Sequence, residues 1–237
     1  MPYIQQTTPI AVYPQYNSGG YLDEVQIFSR MKNAGLLLDW IGQCEVDTNA
    51  TTAHYTIKNL TDFGFAFKAN SSNGYIYTSN LKTKTTISTI MTWSGSYPVD
   101  LNTTTIINYF VNDKAFCIYW GSNFYLFIIK DFVMTDNYMI ASGGYPTATN
   151  TVSSIITNTG TSSISAINYI CNSSNLGINK GIKYKPLITY QGQLVESNYN
   201  VYFGAFELGT VINNEILFPI YRNPRSDSLY FIGIPLS

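Results

Sequence analysis

Phe116-Cys117-Ile118-Tyr119-Trp120, then Gly121-Ser122-Asn123, then Phe124-Tyr125-Leu126-Phe127-Ile128-Ile129-Lys130 is the stretch that decides the fold. Two runs of aromatic, β-branched and aliphatic residues flank three turn formers, which is the pattern of a hairpin between well-buried strands. The apolar run from 116 to 129 is too short to span a bilayer and carries Asn123, so it belongs in a sheet. Just upstream, residues 104–111 add a strand, closed by the Asn112-Asp113 turn.

The same signals recur outward from this centre. Residues 54–58, 63–68 and 75–78 are short alternating runs separated by turns at 59–62 and 70–74, which predicts a β-meander. Residues 84–98 are Thr/Ser-rich and carry Trp93. Residues 142–165 are Gly, Ser, Thr and Asn almost throughout and read as a long polar loop, with Gly143-Gly144 as an ordinary turn. Further strands are predicted at 167–170, 185–190, 200–208, 215–221 and 229–235.

The N-terminal part differs. Residues 1–20 hold Pro2, Pro9, Pro14 and Gly19-Gly20 without periodicity, and predict an extended arm that orders by docking. In residues 21–34, Leu22, Val25, Phe28 and Met31 recur every three positions, an amphipathic helix that would lie as a lid on a sheet. Asp23 and Glu24 in its first turn, Arg30 and Lys32 near its end and Gly35 as its stop agree with that helix. The expected architecture is mainly β: a single β-sandwich or distorted barrel at 21–237, with one N-terminal amphipathic helix and the extended arm at 1–20. No repeat of fixed period and no dividing linker interrupts it.

Charged residues make up 11% of the 237, so the surface must be built from Asn, Ser, Thr and Tyr. Uncharged polar groups lose little on entering a hydrogen-bonded interface, so this composition suits a protein covered by neighbours. The alternative is an AT-rich coding bias, which inflates Asn, Ile, Tyr and Lys; Lys is not inflated here, so bias alone explains the pattern poorly. The net charge of −1 and the absence of a basic run speak against nucleic acid; the densest basic stretch holds Lys180, Lys183 and Lys185. The N-terminus shows no secretory pattern, which predicts a chain made and kept soluble in a cytoplasm. The Asn-x-Ser/Thr sites at Asn49, Asn59, Asn70, Asn102 and Asn172 are then chance products of composition.

The residues of catalysis are scarce. His54 is the single histidine, set in an alternating strand and expected at the surface or rim. Cys44, Cys117 and Cys171 are isolated, and buried free thiols are expected. One His and three dispersed Cys give no zinc spacing. Carboxylates do not cluster: Asp23-Glu24 lies at the helix start and Asp131 with Asp136 near a hairpin end, so the sequence leaves a facing glycosidase pair open without favouring one. The sequence assigns no catalytic residue, no cofactor and no metal, and predicts a protein that is not an enzyme. Twenty Tyr supply rigid contact area with a hydrogen-bonding tip, suited to interfaces or sugar stacking, as well as to plain sheet propensity.

Three segments resemble a group of bacteriophage tail or virion structural proteins. The first is the helix at 22–31 followed by Trp40 and the meander at 54–77. The second is Ile107-Asn108-Tyr109-Phe110-Val111-Asn112-Asp113-Lys114-Ala115-Phe116, with 124–130 following and then the Gly/Tyr/Pro loop at 136–146. The third is 208–222, closing with Arg222 after an aromatic. The chain departs from the group in Asp39-Trp40 where a Gly-Trp is expected, and in the Thr/Ser insertion at 147–165. The resemblance implies a structural subunit of tail, baseplate or connector, placed in the virion and assembled in the host cytoplasm. Its partners would be copies of itself and other virion proteins, with no nucleic acid and no membrane. The alternatives are head decoration, fibre attachment, or a receptor- or glycan-binding module of a fibre, for which Trp93, Trp120 and Tyr145 are the candidate contact residues.

Overall fold

The computed structural model describes residues 4–6, 40–46, 52–69, 73–94, 107–120, 124–144, 153–164, 183–204, 206, 210–222 and 229–236. The expected helix at 21–34, most of the arm at 1–20 and the expected strand at 167–170 lie outside them. The described residues are mainly β. In chain order the strands are β1 (Ile4–Gln6), β2 (Ile41–Val46), β3 (Thr52–Ile57), β4 (Phe63–Ala69), β5 (Asn73–Asn80), β6 (Thr85–Ser94), β7 (Ile107–Val111), β8 (Ala115–Trp120), β9 (Phe124–Lys130) and β10 (Tyr138–Gly144). They continue with β11 (Ser153–Ile156), β12 (Thr161–Ile164), β13 (Lys183–Tyr184), β14 (Leu187–Tyr190), β15 (Gln193–Glu196), β16 (Asn200–Gly204), β17 (Val211–Ile212), β18 (Glu215–Arg222) and β19 (Leu229–Pro235).

Two compact units emerge: Met1–Gln5, Asn108–Ile155 and Ser162–Ser237 form one, and Gln6–Ile107 with Ile156–Thr161 form the other. The first is built on a seven-stranded sheet, β1-β7-β8-β9-β10-β11-β12, a five-stranded sheet, β13-β16-β19-β18-β17, and the ribbon β14-β15. Antiparallel register sets Cys117 opposite Phe127 and Phe127 opposite Ala141, with Ala115, Ile129 and Met139 forming the next row. This face shares one core with Val201 of β16, Ile216 and Phe218 of β18, and Ile232 and Ile234 of β19. The two sheets therefore pack as in a sandwich, with the rings of Phe110 and Phe218 5.7 Å apart. On the other face of the seven-stranded sheet, Phe116, Leu126, Ile128 and Ile140 are also buried. Burial on both faces explains why the opening stretch is a continuous apolar run and not an alternation.

Asparagines close the turns. Asn112 Oδ1 accepts from the backbone N–H groups of Lys114 and Ala115, each at 2.9 Å, and its Nδ2 donates to the Pro235 carbonyl at 3.0 Å. Between β9 and β10, buried Asn137 accepts from the Phe132 N–H at 3.0 Å and donates to the Met134 carbonyl at 2.7 Å. Asp131 and Asp136 hold positive φ in this same turn, and the Asp136 N–H donates to Asp131 Oδ1 at 2.6 Å. These two carboxylates are turn formers. The ribbon β14-β15 turns on Gln191-Gly192 and the β17-β18 hairpin on Asn213-Asn214, all at positive φ, as two-residue hairpin turns require.

The long polar loop expected at 142–165 is not present as such: β10 runs through Gly144, and β11 and β12 lie inside the span. Gly143-Gly144 is correspondingly not a turn, since Gly143 pairs with Tyr125 and Gly144 with Phe124. The ladder satisfies the backbone, so small polar side chains can be buried, as Ser142 and Ser154 are. A structureless span of that length inside a packed unit is itself unfavourable. The Thr/Ser-rich stretch becomes β6 for a related reason, because the branched Thr side chain fits a pleated surface.

The second unit is the meander β2-β3-β4-β5-β6. Ala53 pairs with Phe67 and Tyr55 with Phe65, which puts these residues on one face with Ile57 and Ile76. The Tyr55 and Phe65 rings stack at 5.1 Å, and Phe67 meets Tyr55 edge-on at 5.9 Å. The β5–β6 register shifts twice around Tyr77. At the shift the Thr78 hydroxyl takes over from the ladder, accepting from the Ser88 N–H at 3.0 Å.

Replacing Phe127 by Ala is expected to cost about 3–5 kcal/mol, and Asn137 by Ala about 1–3 kcal/mol, in urea unfolding followed by circular dichroism. Wild-type midpoints for both variants would contradict this account of the core and turn.

Candidate functional site

His54 is not at the surface. It lies buried on β3, and its Nδ1 shares a hydrogen bond of 2.7 Å with Ser79 Oγ of β5. Across the ladder it faces Ala66, a small neighbour that leaves room for the imidazole. A Ser–His contact is half of a nucleophile–base pair. Ser79 has no exposed surface, however, so no substrate can reach it. Cys117 is a free, buried thiol, as the sequence predicts, and burial holds its pKa well above the usual value. Such a thiol is a core side chain and not a nucleophile. Cys44 falls on β2, and Cys171 lies outside the described residues. Among the described residues no group of His, Cys, Asp and Glu is arranged to hold a metal ion. No helix among them is long and apolar enough to cross a membrane. Trp93 and Trp120 fall on β6 and β8, but their side chains, like Tyr145 altogether, lie outside what the structure describes.

Glu215 carries no mark of its role in the sequence. It heads β18, is buried, and receives three donors. Tyr202 OH donates to Oε2, Asn200 Nδ2 donates to Oε1 at 2.5 Å, and Lys183 Nζ lies 3.2 Å from Oε2. Gly233 makes the space: a Cβ there would meet Tyr202 Cε2 at 2.7 Å and Glu215 Cδ at 3.1 Å. The residues come from β13, β16, β18 and β19, so only strand pairing assembles them. The sequence signal was a lone carboxylate leading an apolar strand. All three partners are donors and no second carboxylate is among them, so the group ties three strands together, β13, β16 and β18, and lacks the facing pair of a glycosidase. Burial first, then donation to Glu215, raises the Tyr202 pKa, and the hydrogen bond to Glu215 raises that of Lys183.

The second unit carries an open cleft of about 540 Å³, lined by Trp40, Gly42, Thr56, Lys58, Asn59 and Thr61 among others. Its wall is the loop from β3 to β4. The Lys58 N–H donates to the Trp40 carbonyl and the Leu60 N–H to the Ile57 carbonyl, each at 2.9 Å, while Asn59 turns the chain at φ 62°. Asn158 holds this loop from both sides: its Oδ1 accepts from the Thr61 N–H at 3.2 Å, and its Nδ2 donates to the Asn59 carbonyl at 3.4 Å. Lys58 Nζ stands 5.9 Å over the ring of buried Trp40. At Gly42 any side chain would run into Thr56 Oγ1, so glycine keeps this wall open. The cleft thus offers one ammonium together with uncharged hydroxyl and amide groups and the apolar Ile57 and Leu60.

The chain matches no family model, no curated protein and no solved structure.

The shifts at Tyr202 and Lys183 have a definite sign. Both are raised in the folded state, so the stability they supply is present below their unfolded values of 10.0 and 10.5 and fades as pH rises through the folded ones. Thermal unfolding from pH 8 to pH 11 should show falling stability on the alkaline side, with a shallower fall in Tyr202→Phe. An identical alkaline fall in that variant would count against the role given to Tyr202.

Proposed function

We propose that this chain is a structural subunit of a bacteriophage particle, of the tail, baseplate or connector region, acting by contact with copies of itself and with other virion proteins. The observation that carries the proposal is the outward face of the ribbon β14-β15. Ile188 and Tyr190 are buried in the core cluster, and Val195 packs against it. The opposite face presents Leu187 and Leu194, which are 53% and 69% exposed. By register Thr189 faces Leu194 and Leu187 faces Glu196, so the two leucines are diagonal neighbours on one surface. In a chain with 11% charged residues, such a face favours association over solvation. The resemblance of the sequence at 22–31, of the meander and of the hairpin segments to phage virion proteins supports the placement in a particle assembled in the host cytoplasm. The packed sheets of the first unit support a β-rich, sandwich-like build. The described chemistry supports binding over catalysis, since the histidine, thiol and carboxylate with the fullest surroundings are each buried.

Light scattering after gel filtration should show a multimer whose mass holds between about 0.05 and 1 M NaCl, because an uncharged interface is not screened. A Leu187→Lys, Leu194→Glu double variant should reduce that mass. A wild-type monomer, or absence of the chain from purified particles by mass spectrometry, would sink the proposal.

A further inference from the structure

We infer that the cleft beside Trp40 and Lys58 binds a carboxylate-bearing sugar residue. Three observations on the cleft define the ligand. The first is charge. Lys58 makes no ion pair among the described residues. Asp62, at the end of the same loop, is neutralised by Lys82 Nζ at 2.7 Å, a pairing that also holds its pKa below the usual value. An incoming anion therefore meets one cation and no uncompensated carboxylate from this loop. The second is the engagement of the amides. The N–H groups of Lys58, Leu60 and Thr61 already donate to Trp40, Ile57 and Asn158. They form no nest for a phosphate dianion, and a single ammonium balances a single carboxylate.

The third observation is the remaining lining. Beside the apolar Ile57 and Leu60, Thr56 and Asn59 offer a hydroxyl and an amide that can both donate and accept, and Thr61, whose hydroxyl donates to Asp62 Oδ1 at 3.1 Å, offers acceptor lone pairs, together a complement of sugar hydroxyls. A volume of about 540 Å³ suits a ligand of monosaccharide size or somewhat larger. The loop is also preorganised: Asn158 fixes it at two points, so little ordering cost falls on binding. The inference does not rest on the assembly proposal, since the cleft lies within one unit and would bind in a monomer.

The test is a titration of the full chain with sodium glucuronate, following the Trp40 indole and Thr61 amide resonances. The expected result is a saturable shift at about millimolar concentration, with glucose, acetate and inorganic phosphate each at least about tenfold weaker. Lys58→Met, which keeps the side-chain stem over Trp40, should weaken glucuronate at least about tenfold, while Lys58→Arg and Lys68→Met retain it. Should Lys58→Met fail to fold, Lys58→Gln serves in its place. No saturable shift, equal binding of glucose, equal binding of acetate or phosphate, or wild-type binding by the charge-removing variant would each overturn the inference.

Discussion

Strand β9 is buried on both faces, and much of the structure answers to that constraint. From Leu126 to Ile129 every side chain is hidden from solvent. An apolar run of this kind cannot sit at a sheet edge or under a solvated face. It must lie mid-sheet, with β8 and β10 alongside, and both surfaces need cover. On one surface the cover is the five-stranded sheet, whose Val201, Ile216, Phe218, Ile232 and Ile234 join β8, β9 and β10 in a single core. Dispersion and apolar burial supply the stabilisation; the register supplies the fit.

A chain so poor in charge must satisfy its polar backbone by other means. Asn112, Asn137 and Asn158 each use a side-chain oxygen and a side-chain nitrogen to hold a turn, and Asn198 donates to the Asp131 carbonyl at 2.7 Å. The amide is suited to this because it donates and accepts at once and carries no charge to desolvate. Composition suggested uncharged polar surfaces for contact with neighbours. The structure gives part of the asparagine content a second employment, inside the turns. Glu215 is the contrasting case, a buried carboxylate held by a phenol, an amide and an ammonium. An unpaired charge at that position would be costly, and the three donors offset the cost.

The candidate sites were only partly legible in the sequence. Trp40 drew notice as a residue between helix and meander, and residues 59–62 as a turn. Nothing in either position announces that Lys58 stands over the indole ring, or that Asn158, about a hundred residues later, holds the loop. In sequence His54 stands in an alternating strand among Thr52, Ala53 and Tyr55, which predicts a surface or rim position. Its burial follows instead from Ala66 across the ladder and Ser79 one strand further on. The Glu215 cluster was invisible for the same reason: its members are spread from Lys183 to Gly233 and meet only through strand pairing.

The sequence alone determined the local matters. Periodicity placed the meander and the strands at 107–130, where apolar spacing and turn formers act over a few residues at a time. Composition set the scarcity of charge. Tertiary structure decided what depends on partners. Residues 142–165 read as polar loop, yet they hold β11, β12 and the end of β10. Serine and threonine do not choose between loop and strand by themselves. The choice is made by whether a neighbouring strand takes up the backbone hydrogen bonds: β12 lies on β11, β11 on β10, and β10 on the buried β9, so the span is strand because the packed sheet carries it.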